Sequence, residues 1–296
     1  MSLRGVEGQF LKGKFLPSEL VEGVNKRDKH SMRLLLLTLL MSSFAWGKPT
    51  VLVSYFDPFG KAPANNSGTV AALILAKMKS TNLPFEIKLC EVETKFDVSF
   101  NQLKDCVNAL PERPVLVISL GETGCEMKAE LMGRNLDRTK GPDNSGVERR
   151  NTPIISGAPF AVGFNYPLPE MYCALSTDDR KELAISNNAG SFVCNNLSFQ
   201  TTLLEDDLNF GFIHVPSHFC RDVKSKNDKI ASNLLKMIGY GVEVSLSINA
   251  RPRLPVTKAE LEILRSENQN DECKKSFYKQ ARAWDEKTRW SIFKGN

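Results

Sequence analysis

The run Pro114-Val115-Leu116-Val117-Ile118-Ser119-Leu120 carries a single polar side chain and no polar–apolar alternation. A strand with one wet face alternates. A short apolar run closed by Gly121 instead fits a strand covered on both faces, the setting of a central parallel strand. Parallel neighbours need crossover connections, usually helices, so this one run commits the chain to an α/β arrangement. The segments around it comply. Pro49–Phe56 and Phe85–Val92 read as strands, and Thr69–Met78 and Phe100–Leu110 as helices, with Asn65, Asn66 and Ser67 as cap chemistry for the first helix. Further on, Leu183–Ser186, Leu197–Leu204 and Gly211–Val215 read as a β–α–β unit, and Phe164–Leu175 and Ile230–Gly239 as helices. Glu126–Met132 reads as a helical turn or a loop, and Arg134–Ala158 as a long connection of the kind that covers a site. The expected fold is α/β: a three-layer α/β/α, doubly wound, mostly parallel sheet over residues 48–246, with right-handed crossovers. Residues 1–47 form an N-terminal extension and residues 247–296 a helical C-terminal appendage, with an amphipathic stretch from Cys273 to Phe293 that includes Trp284 and Trp290.

Ligands in such sheets sit beyond the carboxyl ends of the strands. The loops Asp57–Gly60, Gly121–Gly124, Asn187–Cys194 and His214–His218 follow strand ends or lie at them, so all four are expected on one rim. Within Ser186-Asn187-Asn188-Ala189-Gly190-Ser191-Phe192-Val193-Cys194, Gly190 and the Asn pair suit a tight turn. Cys194 then falls at or just before a helix start, where free N–H groups and the helix dipole favour a thiolate. His214 lies in the next strand-like run, and a Cys and a His on neighbouring elements suggest a nucleophile and a base. His218 has no such support and reads as a surface or loop residue.

Composition narrows the alternatives. The formal charge is +5, but residues 1–47 hold seven Lys/Arg against four Asp/Glu, so only +2 remains for the rest of the chain. That is too little to argue for nucleic-acid binding. Seven cysteines without a CxxC pair and only three histidines exclude a zinc site of ordinary spacing. The seven fit either buried reduced thiols or, in an oxidising compartment, three disulfides and one free thiol. Met32-Arg33, the apolar run Leu34–Met41 and the small-residue stretch Ser42–Gly47 have the anatomy of a secretory signal cleaved near Ala45 or Gly47. Either Met32 is the initiator or residues 1–31 are a long positive region; a buried helix is the alternative. The run is shorter than the roughly 20 residues of a membrane span. The expectation is an exported protein, periplasmic or secreted, with no stable span once the signal is removed; the alternative is a cytoplasmic one.

The motifs also occur in a telling order. Phe56-Asp57-Pro58-Phe59-Gly60 is followed by Asn65-Asn66-Ser67, then by Glu130-Leu131-Met132-Gly133-Arg134-Asn135 and Pro142-Asp143-Asn144-Ser145-Gly146. The stretch from Ser186 to Asn195 and then Phe212-Ile213-His214-Val215-Pro216 complete the series. Over about Pro49 to Pro216 the chain resembles the pyroglutamyl-peptidase I family (pyrrolidone-carboxylate peptidases), cysteine peptidases that remove an N-terminal pyroglutamyl residue. The resemblance implies a Cys194–His214–Glu130 triad working without metal or organic cofactor, and an apolar slot lined by Phe56 and Phe59. It implies a peptide with an N-terminal pyroglutamate as partner, and a homo-oligomer. Two positions depart from the family pattern. Glu122 in Gly121-Glu122-Thr123-Gly124-Cys125 stands where the family's glutamine holds the lactam. Lys140 stands for the family's arginine near the oxyanion. They raise two alternatives: a shifted specificity, or a non-catalytic relative that binds peptides or small acids.

Overall fold

The apolar run at 114–120 becomes the third strand of a six-stranded sheet. The computed structural model describes residues 47–139, 141–247 and 253–282. In chain order these form β1 (Thr50–Phe56), α1 (Asn66–Lys79), β2 (Glu86–Val92), α2 (Val98–Asn108), β3 (Leu116–Glu122), β4 (Met127–Glu130), β5 (Met132–Arg134) and β6 (Ala161–Gly163). There follow α3 (Leu168–Cys173), α4 (Thr177–Arg180), β7 (Leu183–Ser186), α5 (Val193–Leu204), β8 (Phe210–Val215), α6 (Val223–Ser247), α7 (Lys258–Glu267) and α8 (Glu272–Gln280). The signal-like segment up to residue 46, Lys140, Trp284 and Trp290 lie outside the described residues.

The sheet order is β2-β1-β3-β8-β4-β7. β1 runs parallel to β2 and β3, and β3 parallel to β8, as expected of a wound sheet. β4 pairs antiparallel with β8, and β7 parallel with β4, so the last two strands run against the other four. This corrects two expectations. Glu126–Met132 is neither helical turn nor loop but supplies β4, in which Met127, Ala129 and Glu130 are buried and Lys128 is half-buried. Its direction follows from chain length: only residues 123–126 link β3 to β4, too few for a parallel crossover of a dozen or more. β7, in turn, lies at the sheet's edge and runs against β8, so Leu183–Ser186 and Gly211–Val215 are not the parallel pair of the expected β–α–β unit.

α1 packs against α6, and α2 against α5, covering the two faces of the sheet. Between them Val51, Val53, Leu116, Ile118, Leu120, Phe210 and Phe212 are fully buried. The expected cap of α1 is present: the Asn65 side chain accepts from the Ser67 N–H at 3.1 Å, an interaction worth about 1 kcal/mol. The C-terminal helices are tied to α3. Tyr172 and Phe277 meet edge to face with centroids 5.5 Å apart, Gln280 Nε2 donates to the Tyr172 hydroxyl at 2.7 Å, and Cys173 is bonded to Cys273.

Two more disulfides join Cys90 to Cys106 and Cys125 to Cys220, leaving Cys194 as a free thiol. The three links span 16, 95 and 100 residues. In the chain-entropy picture each is worth about 3–5 kcal/mol against the unfolded state. No described helix is long and apolar enough to cross a membrane.

Candidate active site

Cys194 is the second residue of α5, which starts four residues before Leu197. The turn leading to it has the expected chemistry: Gly190 takes φ +85°, and the Asn188 side-chain oxygen accepts the Gly190 N–H at 3.1 Å. The N-cap residue Phe192 offers no side-chain acceptor, which leaves the positive end of the helix beside the thiol. His214 is the fifth residue of β8 and is 3 % exposed. Lys128 on β4 lies directly across from it. Glu130, two residues on and on the same face, is therefore its diagonal neighbour, within reach of a long side chain. Glu130 Oε1 lies 2.9 Å from His214 Nδ1, and the Cys194 thiol stands beside the same ring, Sγ and His214 Cδ2 each lying 3.0 Å from where a Gly121 Cβ would be. With Nδ1 committed to Glu130, the nitrogen left for the thiol is Nε2. The structure thus brings Cys194, His214 and Glu130 into one chain of contacts.

The floor of this arrangement is Gly121 on β3, paired in register with His214. A Cβ there would sit 2.7 Å from Phe212 Cζ and 3.0 Å from both Cys194 Sγ and His214 Cδ2. Only a residue without a side chain lets thiol and imidazole meet. Gly121→Ala is expected to lower kcat/KM for any Cys194-dependent reaction by about 10²-fold, because a displacement of about 1 Å at reacting groups costs that much. Thermal melting alongside the kinetics checks that the fold persists.

The electrostatics favour a charged imidazole at His214. Burial, the largest influence on His214, pulls its pKa down. Hydrogen bonds and negative charge from Cys194 and Glu130 outweigh it and carry the imidazole to about 9. A second cation stands behind the carboxylate. Burial lowers the Arg134 guanidinium to about 10, Glu130 opposes that shift and Arg138 adds to it. Arg134 stays charged at neutral pH and donates to Gly190 O at 2.5 Å and to the Asn188 side chain. The Asn188 N–H donates to Glu130 Oε2 at 3.2 Å, and the Tyr166 hydroxyl to Glu130 O at 2.9 Å. Glu130 thus has the raised His214 imidazole on one side and the Arg134 guanidinium on the other, which makes its burial tolerable.

Sequence reasoning passed over several of these supports. Asn195 and Asn196 follow the thiol directly, and both are fully buried. Asn195 accepts the Arg134 N–H at 2.8 Å and donates to Arg134 O and Leu136 O at 2.8 and 2.9 Å. Asn196 donates to Asp137 Oδ2 at 2.9 Å and accepts the Asp97 N–H at 3.2 Å. Both brace the helix start against its surroundings. The available signal was a pair of poor helix formers in a first turn, which points to work done by their side chains.

The expected substrate-contacting residues divide. Phe59 is 44 % exposed, lines a cavity of about 370 Å³ and meets Phe192 with centroids 5.1 Å apart. Phe56 does not line that cavity; it is buried, 6.5 Å from the Phe212 ring. Side chains alternate along a strand, so Gly121 faces the thiol while Glu122 turns to the α1 face. Glu122 Oε2 there accepts the Asn66 N–H, and Oε1 accepts from Ser217 Oγ and His218 Nδ1, each at 2.7 Å. Its carboxylate is thus held by three donors, and the residue lines the same cavity as Phe59. Lys140, expected near the oxyanion, is outside the described residues.

Comparison with known proteins agrees with this geometry. A pyrrolidone-carboxylate peptidase of Staphylococcus carnosus is 32% identical over 202 residues, covering 66% of this chain and 91% of that protein. One of Lacticaseibacillus paracasei is 31% identical over 172 residues, covering 56% and 77%. The crystal structure of pyroglutamyl peptidase I of Bacillus amyloliquefaciens shares the fold, with a TM-score of 0.57 at 23% identity over 67% of this chain and 98% of that one. Residues 49–251, from the start of β1 to just beyond α6, match the sequence profile of one family, and on that match the chain belongs to the pyroglutamyl peptidase family.

Proposed function

We propose that the protein is a cysteine exopeptidase that hydrolyses the amide bond after an N-terminal pyroglutamyl residue, with Cys194, His214 and Glu130 as its catalytic residues. The observation that carries this reading is the buried carboxylate–imidazole–thiol chain at the start of α5. The Cys194 thiolate attacks the scissile carbonyl carbon, and the π electrons move onto oxygen. Backbone N–H groups of the first turn of α5 stabilise that oxyanion. Collapse breaks the C–N bond; the leaving amine takes the proton from His214 Nε2, and a pyroglutamyl thioester remains on Cys194. Water then attacks the thioester and gives its proton to His214, and the thiolate leaves, restoring the ion pair and releasing pyroglutamate. Glu130 holds the Nδ1–H throughout and stabilises the imidazolium. Phe59 offers an apolar wall to the flat lactam. The intact chain of three groups favours catalysis over a role as a binding protein.

The test is a panel of fluorogenic amides differing only in the N-terminal residue. The pyroglutamyl amide is expected to be cleaved at least tenfold faster than the prolyl and glutaminyl amides. Absence of pyroglutamyl hydrolysis by protein whose Cys194 is demonstrably reduced would overturn the reading.

An exported location is part of the same proposal. Three disulfides beside a single free thiol suit an oxidising compartment, and the signal-like stretch before Gly47 is consistent with it. N-terminal sequencing of the mature protein should find a start near Ala45 or Gly47. A cytosolic protein that keeps residues 1–46 and holds all its cysteines reduced would refute the location.

A further inference from the structure

One short stretch, Arg134 to Arg138, brackets Cys194. Before the thiol, Arg138 N donates to Ser191 O and Ser191 Oγ to Arg138 O, each at 2.8 Å. After it, Asn195 is tied to Arg134 and Leu136, and Asn196 Nδ2 donates to Asp137 Oδ2 at 2.9 Å. These ties carry weight because the N-cap of α5 makes no side-chain hydrogen bond of its own. The first turn is therefore located by its neighbours. Asp137 is itself held: Arg149 Nη1 donates to the same Oδ2 at 2.7 Å, and Arg149 Nη2 pairs with Asp97 just before α2. Arg149 reaches back to Asp137 because the connection doubles on itself, with Asp137 bridged to Thr152 and Thr139 N donating to Arg149 O at 2.9 Å. The guanidinium carbon lies 4.7 Å from the centre of the Phe96 ring, and Phe96 meets the N-cap residue Phe192 edge to face at 5.4 Å.

We propose that Asp137 is a positioning residue for the nucleophile: its carboxylate, held by Arg149, fixes the Asn196 side chain and with it the turn of α5 that presents Cys194 to His214. One oxygen takes both donors, which a full negative charge supports better than a neutral amide oxygen does. The charge does not serve stability. Asp137 is fully buried, and its Oδ1 has no hydrogen-bond partner among the described residues. Burial pushes its pKa up to about 6; hydrogen bonds from Arg149 and Asn196 and the charge of Arg149 pull the other way, and the charge of Asp97 adds to the rise. A carboxyl group that is harder to ionise in the folded chain than in the unfolded one favours folding in its protonated form, so at neutral pH its charge opposes folding. The contact with Asn196 is what the charge serves. This proposal rests on the reading of Cys194 as nucleophile, and the experiment separates the two.

Kinetics on the pyroglutamyl amide, alkylation of Cys194 by iodoacetamide at neutral pH and thermal melting are measured on the full chain without reductant. Asp137→Asn keeps the shape and leaves a weaker acceptor. It is expected to lower kcat about tenfold with KM within about twofold, because a small displacement of the thiol affects the chemical step rather than ground-state binding. Its melting temperature should be no lower than the parent's, since no charge is then buried at 137. Alkylation of Cys194 should slow by about threefold, because a thiol moved from His214 is less well activated. Asn196→Ala should reproduce the fall in kcat, and the double variant Asp137→Asn/Asn196→Ala should be no slower than the slower single one, because both act on one contact. Gln280→Ala, which cuts the hydrogen bond to Tyr172 in the C-terminal helices, should lower the melting temperature and leave kcat unchanged. Parental kcat in Asp137→Asn would overturn the proposal. So would losses that multiply in the double variant, or an equal fall in kcat in Gln280→Ala, which would trace the effect to stability. If the parent fails to hydrolyse the amide panel, the alkylation rate decides: slower labelling in Asp137→Asn upholds the positioning role and sinks the peptidase reading, and unchanged labelling sinks both.

Discussion

Cys194→Ala is expected to lower kcat for a pyroglutamyl amide by about 10⁴-fold or more, with the fold retained. Loss of a covalent nucleophile costs that much because no other group forms the acyl intermediate, and what remains comes from binding and oxyanion contacts alone. The structural change is small. Cys194 is half-buried at a helix start and takes part in none of the three disulfides, so alanine removes one sulfur atom and keeps the helix. Unchanged melting with activity gone is therefore the signature to look for. A variant that unfolds would indicate a structural thiol, and a variant that still turns over would exclude it as nucleophile.

Glu130→Gln carries the second large effect, a fall of about 10³–10⁴-fold in kcat, for a different reason. The substituted glutamine would fill the same space but offers an amide where His214 Nδ1 needs an acceptor of full negative charge. The amide can donate to Nδ1 instead of accepting from it, which withdraws the charge that stabilises the imidazolium needed to protonate the leaving amine. The pH profile distinguishes this from general damage. His214 is raised to about 9, against burial, by its contacts with Cys194 and Glu130. The raised value means that the proton is held through neutral pH and lost as pH rises through about 9. The alkaline limb of kcat/KM should lie near pH 9 in the parent protein. Removing one of the two anions leaves burial less opposed, so the limb should move to lower pH in Glu130→Gln. A limb that stays where it was would mean that Glu130 does not set the proton affinity of His214.

Much of the first half of the fold was legible because local signals and tertiary demand agreed. The unbroken apolar run of β3, the Asn65 cap of α1 and the strand–helix alternation through α2 all point one way. The reversal of β4 and β7 was harder to read. Both strands have four residues, and β4 carries a charge at every second position. Glu130 resembles a surface residue in sequence, since a carboxylate with 0 % exposure is rare. It is tolerated only because His214, Asn188 and Arg134 surround it, and those partners are distant in sequence. The four residues between β3 and β4 did contain the strand's direction, had a strand been recognised there. Glu122 and His218 illustrate a different limit. Motif comparison puts Glu122 beside the ligand, and it does line the cavity with Phe59, but the donors that hold its carboxylate come from segments distant in sequence. No motif marks His218, which reaches Glu122 only through the fold.

The most direct measurement of the central claim is covalent capture of the nucleophile. The protein, kept non-reducing so that its disulfides persist, is treated with a pyroglutamyl chloromethyl ketone and mapped by peptide mass spectrometry. The account predicts one equivalent of label, on Cys194, with activity lost in proportion to labelling and both slowed by added pyroglutamate. Full modification of Cys194 with hydrolysis of the pyroglutamyl amide intact would contradict it.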